Sequence, residues 1–155
     1  MIRLSFIFLV FAIGFFVINF FGCNQSDITA DKTLQNYVEQ RFDNNQSKTT
    51  ILQKVTGALY LQIEQMNEEE FKNFSSTKNI KKKEFKILSS RCKNDQCYIT
   101  YYLSYYNIDS SNKTEVITDV KKVAEVIKED GIWKIKDIVN IKTYHKSLDE
   151  LQITN

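Results

Sequence analysis

Three cysteines, one histidine and a band of tyrosines are the residues of this 155-residue sequence whose chemistry could define a function. Cys92 and Cys97 are separated by four residues, whereas thiol oxidoreductases use a gap of two. Two sulfurs and a single distant His145 are too few for a closed zinc site, so no metal is expected. The flanking stretches read as strands. If Asn94-Asp95 is a two-residue hairpin turn, Lys93 pairs with Gln96 and Cys92 faces Cys97 as a non-hydrogen-bonded pair. Such pairs have Cα atoms about 4.5 Å apart, within disulfide range. The pair therefore reads as a structural disulfide, with two free thiols as the alternative. The loop is short, so the expected stabilisation is only about 2 kcal/mol.

The acid–base inventory is thin. His145 follows the last strand candidate among exposed-looking residues (Lys142, Thr143, Tyr144, Lys146) and reads as solvated. Asp119 and Asp137 sit within strand candidates, where either can simply face water. No His/Asp or Ser/His/Asp set can be assembled from spacing. After residue 23 the only glycines are Gly57 and Gly131, so no glycine-rich phosphate loop exists. No catalytic residue and no cofactor are assigned. Lys+Arg number 21 against 19 Asp+Glu, a net charge of +2, which argues against a dedicated nucleic-acid binder.

The tyrosines are more informative. Tyr98, Tyr101, Tyr102, Tyr105 and Tyr106 share one strand candidate. Strand alternation puts Tyr98, Tyr102 and Tyr106 on one face and Tyr101 and Tyr105 on the other. Only one face can pack against helices. The first set is thus a candidate surface for a second copy or an envelope protein partner, against the plainer reading of a wettable strand face.

The elements that position these residues follow from periodicity. Leu34, Tyr37, Val38 and Phe42 recur at helical spacing, and Ile51, Leu52, Val55, Leu59, Ile63 and Met66 mark one face of a second helix about 16 residues long. Gly57 inside that helix costs about 1 kcal/mol against Ala, with close packing as its expected reason. Ser47 or Thr49 is a candidate cap, and Asn67 with Glu70 forms a capping pattern for a short helix carrying Phe71 and Phe74. From Lys83 the period changes to two. Strands are expected from there to about Arg91, over 97–106, over 114–128 and over 132–141, with Asp130-Gly131 as a hairpin turn. Val116, Thr118 and Val120 share one phase and Val123 and Ile127 the other, which predicts a β-bulge at Lys121-Lys122. Helices followed by an antiparallel meander give an α+β fold, with N-terminal amphipathic helices packed on a bent four-stranded sheet.

The N-terminus is different in kind. Seven of eleven Phe lie before residue 22, and Arg3 is the only charge in the first 26 residues. A positive start, an apolar run, then Gly22-Cys23 and a polar stretch resembles a bacterial lipoprotein signal, in which the Cys is lipidated and becomes the N-terminus. The resemblance covers residues 1–23. It implies a signal peptide at 1–22, lipidation (palmitate) at Cys23, a tether at 23–30, a domain at 31–145 and a tail at 146–155. Residues 4–22 are also long enough for an uncleaved membrane anchor of a secretion or division assembly, and cleavage to a soluble secreted form is a third outcome. With Arg3 held inside, the domain lies outside the cytoplasm, in the cell envelope. The tether reaches about 25 Å at most, so the domain stays near the bilayer.

The stretch 123–135, with Glu129-Asp130-Gly131 followed by Ile132-Trp133-Lys134-Ile135, resembles the last hairpin of the nuclear-transport-factor-like (SnoaL-like) superfamily. A cystatin-like fold is the alternative, because no extra strand shows between Phe74 and Phe85. The resemblance implies a cone with a pocket between helices and sheet, for which Tyr60, Tyr101, Tyr105 and Trp133 are candidate lining residues. Members of that superfamily include enzymes, binding modules and assembly parts, so the likeness implies no single activity. The expected role is a membrane-tethered, non-catalytic binding or assembly module, with a small-ligand or enzymatic pocket as the alternative.

Overall fold

The computed structural model describes residues 28–43, 46–108 and 114–147. The signal segment, Cys23, most of the tether and the tail beyond Ser147 lie outside the described residues. Four helices precede four strands: α1 (Ala30–Gln40), α2 (Lys48–Leu52), α3 (Gly57–Gln65), α4 (Glu68–Ser75), then β1 (Ile80–Lys93), β2 (Gln96–Ile108), β3 (Thr114–Glu129) and β4 (Ile132–Ser147). The strands form one open antiparallel sheet in the order β1-β2-β3-β4. The fold is α+β.

Local chemistry sets the helix ends. Thr29 caps α1 and Ser47 caps α2, each side chain accepting from a first-turn N–H. Asn67 and Glu70 form the expected reciprocal capping box at α4, with bonds of 2.8 and 2.9 Å. Lys48 reaches across to donate to the carbonyls of Glu64 (2.8 Å) and Met66 (2.6 Å), closing the C-terminal end of α3.

The second amphipathic stretch is two helices, not one. Residues 54–56 leave helical geometry to pair with β4. Ile135 N–H donates to Lys54 O (2.9 Å) and Thr56 N–H to Ile135 O (2.8 Å), around a parallel bridge between Val55 and Ile135. Sheet bonds replace helix bonds there, and the edge of β4 is covered at that point. Gly57 then opens α3 at φ +55°, and a Cβ on it would lie 2.8 Å from Lys136 Cγ. Its reason is a turn as well as close packing. The apolar face survives the break: Ile51, Val55, Leu59 and Ile63 are all buried.

The irregularity expected at Lys121-Lys122 is present in the β3–β4 ladder, with the extra residue on β4 rather than on β3. β2 and β3 pair without interruption from Gln96↔Ile127 to Asn107↔Val116. The register shifts skip Lys83 and Leu88 of β1, Lys136 and Ile141 of β4, the latter opposite Lys121-Lys122, and Glu115 near the start of β3. So β3 keeps one phase from Val116 to Ile127. Thr118, Val120, Lys122, Ala124 and Val126 all face the helices. Both edge strands run further than the alternation suggests, β1 beginning at Ile80 and β4 continuing through His145 to Ser147. The bulged residues interrupt the period and hide those ends.

The core lies between the helices and the inner sheet face. Leu34, Ile51, Val55 and Ile63 meet Ile99, Val126 and Ile135, each essentially fully buried. Each such side chain contributes about 1.5–3 kcal/mol by leaving water. Among the described residues no helix is long and apolar enough to cross a membrane.

Candidate functional site

The cysteine hairpin forms as the spacing predicts. Lys93 pairs with Gln96, Cys92 faces Cys97, and their Cα atoms are 4.0 Å apart in a disulfide. Asn94 supplies the positive φ, at 53°. Cys97 is buried in the core and Cys92 is exposed. The pair lines a shallow cleft with Ser90, Lys128, Trp133 and the start of α1.

A second cavity, of about 280 Å³, opens between α1, α3, α4 and the inner sheet face. Its apolar wall is built by Val38, Leu59, Leu103 and Ile138, with the rings of Phe42 and Phe74. Its polar groups are Tyr37, Arg41, Tyr101 and Lys122. Tyr37 and Arg41 are one turn apart at the end of α1, while Tyr101 and Lys122 are cross-strand partners on β2 and β3. The Arg41 guanidinium donates to Gln46 Oε1 (2.9 Å) and to Phe74 O (2.6 Å) and stacks 3.9 Å from the centre of the Phe74 ring. Burial lowers the pKa of Lys122, and the neighbouring Arg41 charge lowers it further. Burial likewise lowers Arg41. Burial raises Tyr101 and Tyr37, with Arg41 partly opposing the rise at Tyr37. Both phenols are therefore protonated hydrogen-bond donors at neutral pH.

Of the four residues the sequence offers as pocket lining, Tyr101 is the one on this cavity. Tyr105 stands behind it, its ring 6.4 Å from Phe42. Trp133 belongs to the disulfide cleft, and Tyr60 on α3 donates to Glu64 of its own helix (3.1 Å). The four do not share one pocket, because α3 begins only after the excursion at 54–56 and Trp133 lies at the hairpin end of β4. The sequence reading missed Arg41 and Lys122. Each is a single cation in an otherwise apolar or small row, Arg41 beside Tyr37 and Val38 and Lys122 between Val120 and Ala124, but Lys122 joins that row only once the register of β3 is known.

The tyrosines alternate as expected. Tyr101 is buried on the inner face, while Tyr98 (49% exposed), Tyr102 and Tyr106 lie on the outer one. Each outer tyrosine has an intramolecular neighbour. Gln96 Nε2 donates to Tyr98 (2.9 Å), Tyr102 donates to Asp119 (2.7 Å), and the Lys83 ammonium sits 5.6 Å from the Tyr106 ring. Asp119 does not face water. It is buried on the outer face and also accepts from Ser104 (2.7 Å) and Lys146 (2.8 Å). Burial pushes its carboxyl up, and the bonds from Lys146, Tyr102 and Ser104 outweigh this and hold it down at about 2. That value suits a structural anion rather than a proton acceptor at neutral pH. His145 is exposed but lies inside β4, its Nδ1 3.1 Å from Thr118 Oγ1. Asp137 accepts from the next backbone N–H, that of Ile138, at 2.8 Å. Among the described residues no group of three or more His, Cys, Asp or Glu could hold a metal ion.

Compared with known protein families, curated proteins and solved structures, the chain has no significant match to any of them.

Proposed function

We propose that this chain is an exported cell-envelope lipoprotein, tethered to a membrane through an acylated Cys23, whose domain acts as a binding or assembly module rather than a catalyst. The observation that carries this reading is the Cys92–Cys97 hairpin, whose register sets the two sulfurs at bonding distance. A disulfide of this kind persists in oxidising compartments and not in the cytosol. It agrees with the apolar N-terminal run ending in Gly22-Cys23. The helices-then-meander order fits a nuclear-transport-factor-like cone, and with no strand between Ser75 and Ile80 the cystatin-like wrap stays the alternative. In this reading the outer face around Tyr98, Tyr102 and Tyr106 is the partner surface, for a second copy or another envelope protein, and nucleic acid is not a partner.

The test is the intact mass, with N-terminal peptide mapping, of the protein extracted from membranes of its own host. The expected product starts at Cys23 and carries added acyl mass. A full-length, unmodified chain would overturn lipidation and make residues 4–22 an anchor. For the outer face, Tyr98→Ser with Tyr102→Ser should weaken self-association in sedimentation. A wild type that stays monomeric at high concentration removes the second copy as the partner.

A further inference from the structure

We propose that the cavity between α1, α3, α4 and the sheet binds a small organic anion, its carboxylate or phosphate-monoester head held by Arg41 and Lys122 and its short apolar tail lying against Val38, Leu59, Leu103 and Ile138. This takes from the functional reading only that the domain is a binder, and it is independent of how the chain is tethered.

Charge balance is the first argument. The ion pairs among the described residues engage Lys82, Lys134, Lys136 and Lys146. Arg41 and Lys122 have no carboxylate partner among the described residues, and both are half-buried on one cavity. Two like charges on one partly desolvated cavity, the Arg41 charge disfavouring the charged form of Lys122, disfavour the empty protein. An anion between them removes both penalties.

Geometry is the second argument. Arg41 is fixed from three sides by Gln46, the backbone carbonyl of Phe74 and the Phe74 ring, which uses two of its five N–H donors and leaves the rest for a head group. Tyr37 and Tyr101 are buried, protonated, and lack a hydrogen-bond partner among the described residues, so they add two neutral donors to the same cavity, one from α1 and one from β2. Size is the third. About 280 Å³ is the room of roughly nine waters at about 30 Å³ each, enough for a head and one short chain but not for a two-chain lipid.

The test uses the full chain in nanodiscs of zwitterionic lipid, titrated calorimetrically with hexanoate and separately with hexyl phosphate. Inorganic phosphate and 1-hexanol supply the head alone and the tail alone. One-to-one binding of at least one of the two anions is expected, with hexanol and inorganic phosphate at least tenfold weaker. The two anion arms tell a carboxylate head from a phosphate head. Lys122→Met should weaken binding tenfold or more without lowering Tm, because it removes a repelling charge that no partner holds. Arg41→Gln should weaken binding similarly, and Lys122→Met decides the matter if that variant does not fold. Hexanol binding as tightly as the anions, no binding of either anion, unchanged binding in Lys122→Met, or a lowered Tm in that variant would each overturn the proposal. Loss of anion binding in a protein whose mass shows an acylated Cys23 would leave the tethered-module reading standing, and the reverse outcome would leave the cavity standing.

Discussion

Replacing Asp119 with Asn tests whether the buried carboxylate of the outer face is a structural anion. The side chain keeps its shape, and its remaining carbonyl can still accept from Tyr102 and Ser104. What is lost is the charge that faces Lys146 Nζ at 2.8 Å. The carboxyl falls from its ordinary 3.8 to about 2. At 1.36 kcal/mol per unit this is about 2.4 kcal/mol. The Lys146 side chain is 58% exposed, so solvent screening reduces the figure to roughly 1–2 kcal/mol. The sign follows from proton binding. Between pH 4 and pH 2 the unfolded carboxyl takes up a proton before the folded one does, so stability rises with pH across that window. The contribution is complete above about pH 5 and disappears as pH falls through about 2. Urea denaturation of wild type and Asp119→Asn, followed by tyrosine and tryptophan fluorescence, should show the variant less stable by roughly 1–2 kcal/mol at pH 7. The gap should narrow steadily below pH 4 and also shrink in high salt. A gap that is the same at pH 7 and pH 2.5 would refute the reasoning, because it would place the loss in packing rather than in charge.

Four further outcomes are expected. Reduction of Cys92–Cys97 should lower stability by about 2 kcal/mol, read as a shift of the urea midpoint with and without reductant, because the bond closes a loop of sequence separation 5. No shift would mean that the hairpin is already closed in the unfolded chain. Gly57→Ala should cost about 1–2 kcal/mol in the same assay, since φ is +55° and the new Cβ must displace the flexible Lys136 side chain. Gly131→Ala, at φ +81° with nothing within 4 Å, should cost no more than that. Ile135→Ala should cost about 2–5 kcal/mol, since Ile135 is fully buried where 54–56 joins β4. Hydrogen exchange should then speed up at Thr56, whose amide bonds Ile135 O. Protection at Thr56 equal to wild type would show that the excursion does not depend on this side chain.

The sequence by itself determined what depends on neighbours a few residues apart. Asn94 and Asp130-Gly131 set two hairpin turns, because those residues accept positive φ at low cost. The turn at Asn94 in turn fixed the facing of Cys92 and Cys97. Asn67 and Glu70 are three apart and close a capping box without help from the rest of the chain. Alternation along β2 assigned every tyrosine to its face. What only the tertiary structure decided depends on partners far along the chain. The helical period from Ile51 to Met66 is unbroken in sequence, and the interruption at 54–56 comes from the free edge of β4 some eighty residues later. From Val116 on the phase of β3 is set by its uninterrupted ladder with β2, so the extra residue at the Lys121-Lys122 irregularity sits on β4, which has a sheet neighbour on only one side and can absorb it. That phase turns Lys122 inward, and packing of α1 on the sheet brings Arg41 beside it. A lysine in a strand reads as solvent-facing until the register is known, which is why the cationic cavity emerged only from the fold.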